Sequence, residues 1–288
     1  MPYGDLLAQR VQRFERMEDL DRYDATIEER EDYEPHIANG SVVFTGVDYA
    51  EILRLAEEDG DVVLWDGGNN DFSFFEADVY ITVVDPHRPG HEVTYYPGET
   101  NLRLADVIVV NKIDTADALD VARVLANVSE VNPRASVVRA ASPITVADPK
   151  VLAGRRVLAI EDGPTLTHGG ARIGAAVLGA QAAGAAELVD PRPYLTGDLI
   201  GTFAKYPHLG ALLPAMGYGQ AQIRDLEATL RKAAAAGVEA VAIGTPIDLG
   251  ALIDIPLPYT RVRYELEVLG TPTLKEALRP ILDRAGAR

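Results

Sequence analysis

No cysteine occurs among the 288 residues, which rules out disulfides, thiolate metal sites and a cysteine nucleophile. No apolar run approaches the roughly 20 residues that a membrane-spanning helix needs. The opening Met1-Pro2-Tyr3-Gly4-Asp5 lacks the basic patch and apolar stretch of a signal peptide. The expectation is a cytoplasmic protein with no membrane partner. Lysine is scarce, and 44 acidic residues against 27 basic ones give a net charge of −17. Such a surface repels phosphate backbones, so nucleic acid is not an expected partner. A few local Arg and Lys residues can still hold a phosphorylated small molecule inside an acidic shell. Serine lies in no G-x-S-x-G elbow, and no glycosidase-like carboxylate pair stands out. Gly-Lys is absent as a dipeptide, and with it the phosphate-gripping GxxxxGK[ST] of a P-loop.

What is present is an ordinary globular mix, 47% hydrophobic and 25% charged, long enough for one large or two ordinary α/β domains. Residues 5–39 are charged and helix-like; Thr26 with Glu29 three places later reads as a capping box opening a solvated acidic helix. Short β-branched runs then alternate with helical periodicity. Strands are expected at 41–47, 61–65, 79–84, 106–110 and 135–140, with helices at 48–58 and 116–128. A stretch from 142 to 155 containing Pro143, Pro149 and Gly154 is the expected domain boundary. Beyond it come strands at 156–160, 239–243 and 261–268, and helices at 170–185, 220–236 and 273–285. This alternation predicts an α/β fold with a mostly parallel sheet covered on both faces. The expected domains are 1–150, a partial nucleotide-binding unit of P-loop NTPase type, and 151–288, a second α/β domain for substrate. In open sheets of this kind ligands bind at the carboxyl ends of the strands.

Four loops at those strand ends carry candidate chemistry. Asn111-Lys112-Ile113-Asp114 after an apolar strand matches the NKxD pattern of GTPases. There the Asp accepts two hydrogen bonds from guanine, the Asn orders the loop and the Lys stem packs on the base. The competing reading is a strand-to-helix turn with Asp114 or Thr115 as N-cap. Asp66-Gly67-Gly68, about 45 residues earlier, ends an apolar run in a Walker-B-like way; its carboxylate suits Mg²⁺ and its glycines suit close approach to phosphate, against a plain turn. The two together favour nucleotide binding. The loop after 79–84 brings Asp85, His87, Arg88 and His91 near one another, suited to an anion or to structure alone. Residues 161–170 join a strand to an Ala/Gly-rich helix, whose positive end suits phosphate with Thr165, Thr167 and His168 as donors. In a P-loop domain the phosphate loop follows the first strand, so this chain is expected either to begin beyond it or to have lost ordinary NTP hydrolysis.

Long strings add a resemblance. Residues 65–72 (WDGGNNDF), 85–92 (DPHRPGHE), 95–114 and 161–170 (EDGPTLTHGG) resemble the cyclic 2,3-diphosphoglycerate synthetase family, as do DPRPY, LLPAMGYG and GTPIDL further on. The resemblance runs along essentially the whole chain. It implies an NTP-dependent phosphoryl-transfer or ligase-type enzyme that closes 2,3-diphosphoglycerate into a cyclic pyrophosphate at the expense of ATP, with Mg²⁺. By position, Asp66 and Asp85 would hold the metal, and Gly67, Gly68, Asn111, Lys112 and Asp114 the nucleotide. His87, Arg88 and His91 would meet the reacting phosphates, and Thr165, Thr167, His168 and Gly169 would cradle the substrate. NKxD points to GTP where the namesake uses ATP, so either nucleotide stands. The resemblance also implies a homodimer. The alternatives are a GTP-binding regulatory protein and a truncated, non-catalytic binding homologue.

Overall fold

The computed structural model describes residues 6–68, 71–163, 166, 172–215 and 220–285. It opens with β1 (Gln12–Phe14), α1 (Met17–Arg22), α2 (Ile27–Ala38), β2 (Val43–Thr45) and α3 (Tyr49–Asp59). Then follow β3 (Ile81–Val84), α4 (His91–Thr94), α5 (Gly98–Leu104), β4 (Val107–Val110), α6 (Ala118–Val131), β5 (Ser136–Ala141) and β6 (Ile144–Val146). Next come β7 (Arg156–Asp162), α7 (Ala175–Ala182), β8 (Glu187–Leu188), α8 (Asp198–Lys205), β9 (Leu213–Ala215) and α9 (Gln220–Ala235). The chain closes with β10 (Ala240–Ile243), α10 (Leu249–Leu252), β11 (Tyr259–Tyr264), β12 (Glu267–Val268) and α11 (Leu274–Ala285). The fold is α/β with mostly parallel sheets, as the alternation of runs predicts.

These elements form two compact units, each made of two stretches of chain: residues 1–61 with 144–263, and residues 62–143 with 264–288. This differs from a contiguous division at 150. The first 61 residues join the later sheet because Ile27 on α2 enters its buried core, and Glu34 accepts the Asp248 amide beyond β10 at 3.3 Å. The run 261–268, read as one strand, is divided: β11 stays in the first unit and β12 crosses to the second.

The first unit has the sheet order β6-β11-β10-β7-β8, with β9 beside the carboxyl half of β7. Strands β7, β8, β9, β10 and β11 run parallel, and β7 and β10 are buried along almost their whole length. A smaller antiparallel pair, β1 with β2, packs Phe14 with Leu20 and Ile37. The second unit orders its strands β12-β5-β4-β3, with β3, β4 and β5 parallel and β12 antiparallel. All four residues of β4 are buried. Ile108 and Val110 face a cluster with Val124 and Val128 of α6, while Val107 and Val109 face one with Ala277 of α11. A strand apolar on both faces needs cover on both, and the C-terminal helix supplies the second layer.

Several expected elements are shorter, absent or of another kind: β1 lies inside the run 5–39 read as helix, and β2 and β3 are shorter than the strands expected at 41–47 and 79–84. Residues 62–66 form no strand; Val62 and Leu64 stay exposed, because an apolar run fixes hydrophobicity but not a ladder to pair with. The helix expected from 170 begins at Ala175.

Candidate functional site

In the second unit the carboxyl ends of β3 and β4 bring together one set of predicted residues. The main-chain N–H of Asn111 donates to Val84 O at 3.1 Å, tying the loop after β4 to the strand beside it. Asn111 Oδ1 accepts the Lys112 N–H at 2.8 Å. That bond helps hold Lys112 at φ +57°, a left-handed conformation uncommon outside glycine. The turn aims Lys112 Nζ at Asp85 Oδ2, 3.0 Å away. Burial pushes the Asp85 carboxyl up, but the Lys112 ammonium and the His87 N–H outweigh it and hold it below its ordinary value. His87 donates its main-chain N–H to Asp85 Oδ1 at 3.0 Å, and its Nε2 hydrogen-bonds Thr115 Oγ1 at 2.9 Å. Arg88 Nε stands 4.0 Å from Asp85. Asp85, His87, Arg88, Asn111 and Lys112 thus form one connected cluster.

Asp114 is exposed beside it, accepting the Ser142 amide at 3.4 Å beyond β5. The N-cap of α6 is Asp117, which accepts the Leu119 N–H. Neither Asp114 nor Thr115 caps the helix, although residues 113–115 do form a turn between β4 and α6. His91 lies outside the cluster, exposed on α4 with its ring against Tyr95, centroids 4.6 Å apart. The loop between is fixed from below: buried Glu92 accepts the Gly90 amide at 2.9 Å and Asn127 Nδ2 at 2.6 Å.

Asp66 lies in the irregular exposed segment, where Trp65 packs edge-on against Phe74 and Phe75. Gly67 sits against Trp65, and the Gly68 N–H donates to Asp71. Mg²⁺ takes six oxygens, commonly one or two carboxylates plus phosphates and water. Asp85 as placed does not fit a ligand, because Lys112 already neutralises it; Asp66 is an exposed carboxylate on the irregular segment. Among the described residues no three His, Cys, Asp or Glu side chains converge on a metal position.

Thr165, Thr167, His168 and Gly169 lie outside the described residues. The helix beyond them is described, and a carboxylate of the chain stands at its start. Glu161, only 2% exposed, accepts the Ala176 and Val177 amides at 3.1 and 2.8 Å, so the amino end of α7 is filled by a carboxylate of the chain itself. Burial raises Glu161 to about 7 against the pull of those amides. Gly174 and Gly244 are needed around it, since a Cβ at either would come within 2.4 or 2.6 Å of Glu161 Oε2. Gly179, in turn, lets α7 approach Val262 closely.

Sequence reasoning missed Thr115 and Ser142, which hold His87 and Asp114, and a second acidic group. Glu31 on α2 is buried, with Asp162 of β7 against it. A helix read as solvated therefore buries a carboxylate, and nothing in its acidic spacing signalled it.

Residues 62–139, within the second unit, match the family described as CobW/HypB/UreG, nucleotide-binding domain. The match ends within β5, so it contains both loops of the cluster. Over nearly its whole length, 96%, the chain is 57% identical to the arginine synthetase ArcE of Thermococcus kodakarensis, across 278 residues that make up 61% of that protein. A cyclic 2,3-diphosphoglycerate synthetase of Thermococcus sibiricus matches at 30% identity over 86 residues, 30% of this chain and 20% of that protein. The match to that cyclic synthetase covers 30% of the chain, and the long match carries a different name. The chain spans about three-fifths of the arginine synthetase it matches. Among the described residues no helix is long and apolar enough to cross a membrane.

Proposed function

We propose that the chain is the greater part of an NTP-dependent synthetase that forms arginine, with nucleotide held at the carboxyl edge of the second unit's sheet. The observation that carries this reading is the 57% identity spanning both units. In this reading Asp114 accepts hydrogen bonds from the base, Lys112 packs beside it, and Arg88 with His87 and His91 meets the phosphates. Asp66 contributes one carboxylate to a magnesium held mainly by the nucleotide and water. The chemistry such a metal supplies is neutralisation of phosphate charge. Fixed cations stabilise a transferring phosphoryl group only if already oriented, and the Asp85–Lys112 and His87–Thr115 contacts provide that orientation. NKxD favours GTP over ATP as the nucleotide.

A second reading, pyrophosphate closure of 2,3-diphosphoglycerate, is favoured by the 86-residue match. Calorimetric titration with Mg-GTP and Mg-ATP, then with L-arginine or 2,3-diphosphoglycerate, separates the two. The expected result is nucleotide binding, preferring GTP and weakened at least about tenfold by Asp114→Ala, followed by arginine binding. Binding of 2,3-diphosphoglycerate instead of arginine would reverse the order of the readings. Nucleotide binding with neither small molecule would favour the regulatory GTP-binding alternative. A homodimer is part of the proposal and is checked by sedimentation.

A further inference from the structure

A second buried acidic group of the first unit takes no part in the cluster at β3 and β4. Glu31 is 6% exposed, and both its oxygens are closed off from solvent with no N–H or O–H of the described residues donating to them. What stands against it is another carboxylate, Asp162, the last residue of β7, with Glu28 and Asp32 of α2 nearby. The neighbouring Arg30 is committed elsewhere, to Asp21, Glu34 and the Ala25 carbonyl. Asp162's sequence neighbour Glu161 is spent on the amino end of α7. Carboxylates crowded together out of water either share a proton or await a cation.

The position and donor set narrow the cation. The pair lies where α2 crosses the carboxyl ends of parallel strands, the usual ligand position of an open α/β sheet. Among the described residues no third ligand joins it as a metal would need. A guanidinium is planar, carries five N–H donors and no acceptor, and would displace the proton held by such a pair, leaving two carboxylates that offer only acceptors.

We propose that Glu31 and Asp162 form the seat of a cationic organic ligand, the guanidinium group of arginine. Only the identity of the cation rests on the synthetase reading; the site itself rests on the geometry. The test titrates L-arginine, agmatine and L-lysine, with and without Mg-nucleotide, into the wild type, Glu31→Gln and Asp162→Asn. Thermal melts and nucleotide titrations check each variant's fold. The expected result is arginine binding weakened at least about tenfold in both variants, with nucleotide affinity unchanged. Arginine bound equally by wild type and both variants would overturn the site and leave the synthetase reading standing. Glu31-dependent binding of lysine or agmatine without arginine would keep the site and overturn that reading. Binding of none of the three by the wild type would overturn the site.

Discussion

Lys112 occupies a backbone conformation that costs an L-residue of order 1–2 kcal/mol, held by its neighbours Asn111 and Thr115. Lys112→Gly removes that cost but also the half-exposed ion pair to Asp85, worth at most about 1 kcal/mol. Urea denaturation is expected to show stability within about 1 kcal/mol of wild type, while nucleotide affinity falls. A loss of several kcal/mol would show that the lysine serves the fold and not the ligand. Two buried carboxyls set the pH response. Burial, and then Asp162, push Glu31 up to about 10, and burial pushes Glu161 to about 7, against an ordinary 4.5. Both bind their proton more tightly folded than unfolded, so their contribution is complete below 4.5. It is lost as pH rises, through about 7 for Glu161 and towards about 10 for Glu31. Urea midpoints are expected to fall between about pH 5 and about pH 8, and Glu31→Gln is expected to flatten the fall. An unchanged slope in that variant would mean that Glu31 is not the protonated group.

At the scale of elements, α7 depends on Gly174, because a methyl group there would overlap the Glu161 carboxylate that closes the helix. Gly174→Ala should destabilise the protein by about 1–3 kcal/mol, the usual range for overpacking, and chemical denaturation would register it. Elements whose instructions are local were legible in the sequence. Thr26 and Glu29 make the reciprocal capping box they predict, and β4 announces itself by four β-branched residues with both faces covered. The cluster at β3 and β4 was legible for the same reason: Asn111, Lys112, Asp85 and His87 lie just past strand ends, and parallel pairing brings such ends together. What stayed hidden depends on distant chain. Nothing in Val62-Val63-Leu64 says whether a partner strand will meet it. Nothing in the acidic spacing of α2 says that Asp162, remote in sequence, will face Glu31.

The whole molecule is laced by a chain that passes between its units after residues 61, 143 and 263. The last passage brings α11 onto the face of β4 carrying Val107 and Val109. Removing residues 273–288 should uncover that face. Hydrogen exchange is then expected to rise at the amides of β4 and β5 while those of β7 and β10 stay protected. Equal loss of protection in both sheets would mean that the units do not unfold separately. The same lacing bears on birth order at the ribosome. The sheet around β7 and β10 has all its strands once β11 has emerged, whereas the earlier-made β4 must wait, one side bare, for the final helix. Within residues 1–288 the second unit, begun after the first, therefore also closes after it, and the bare face of β4 is the flank a chaperone would have to shield until α11 arrives.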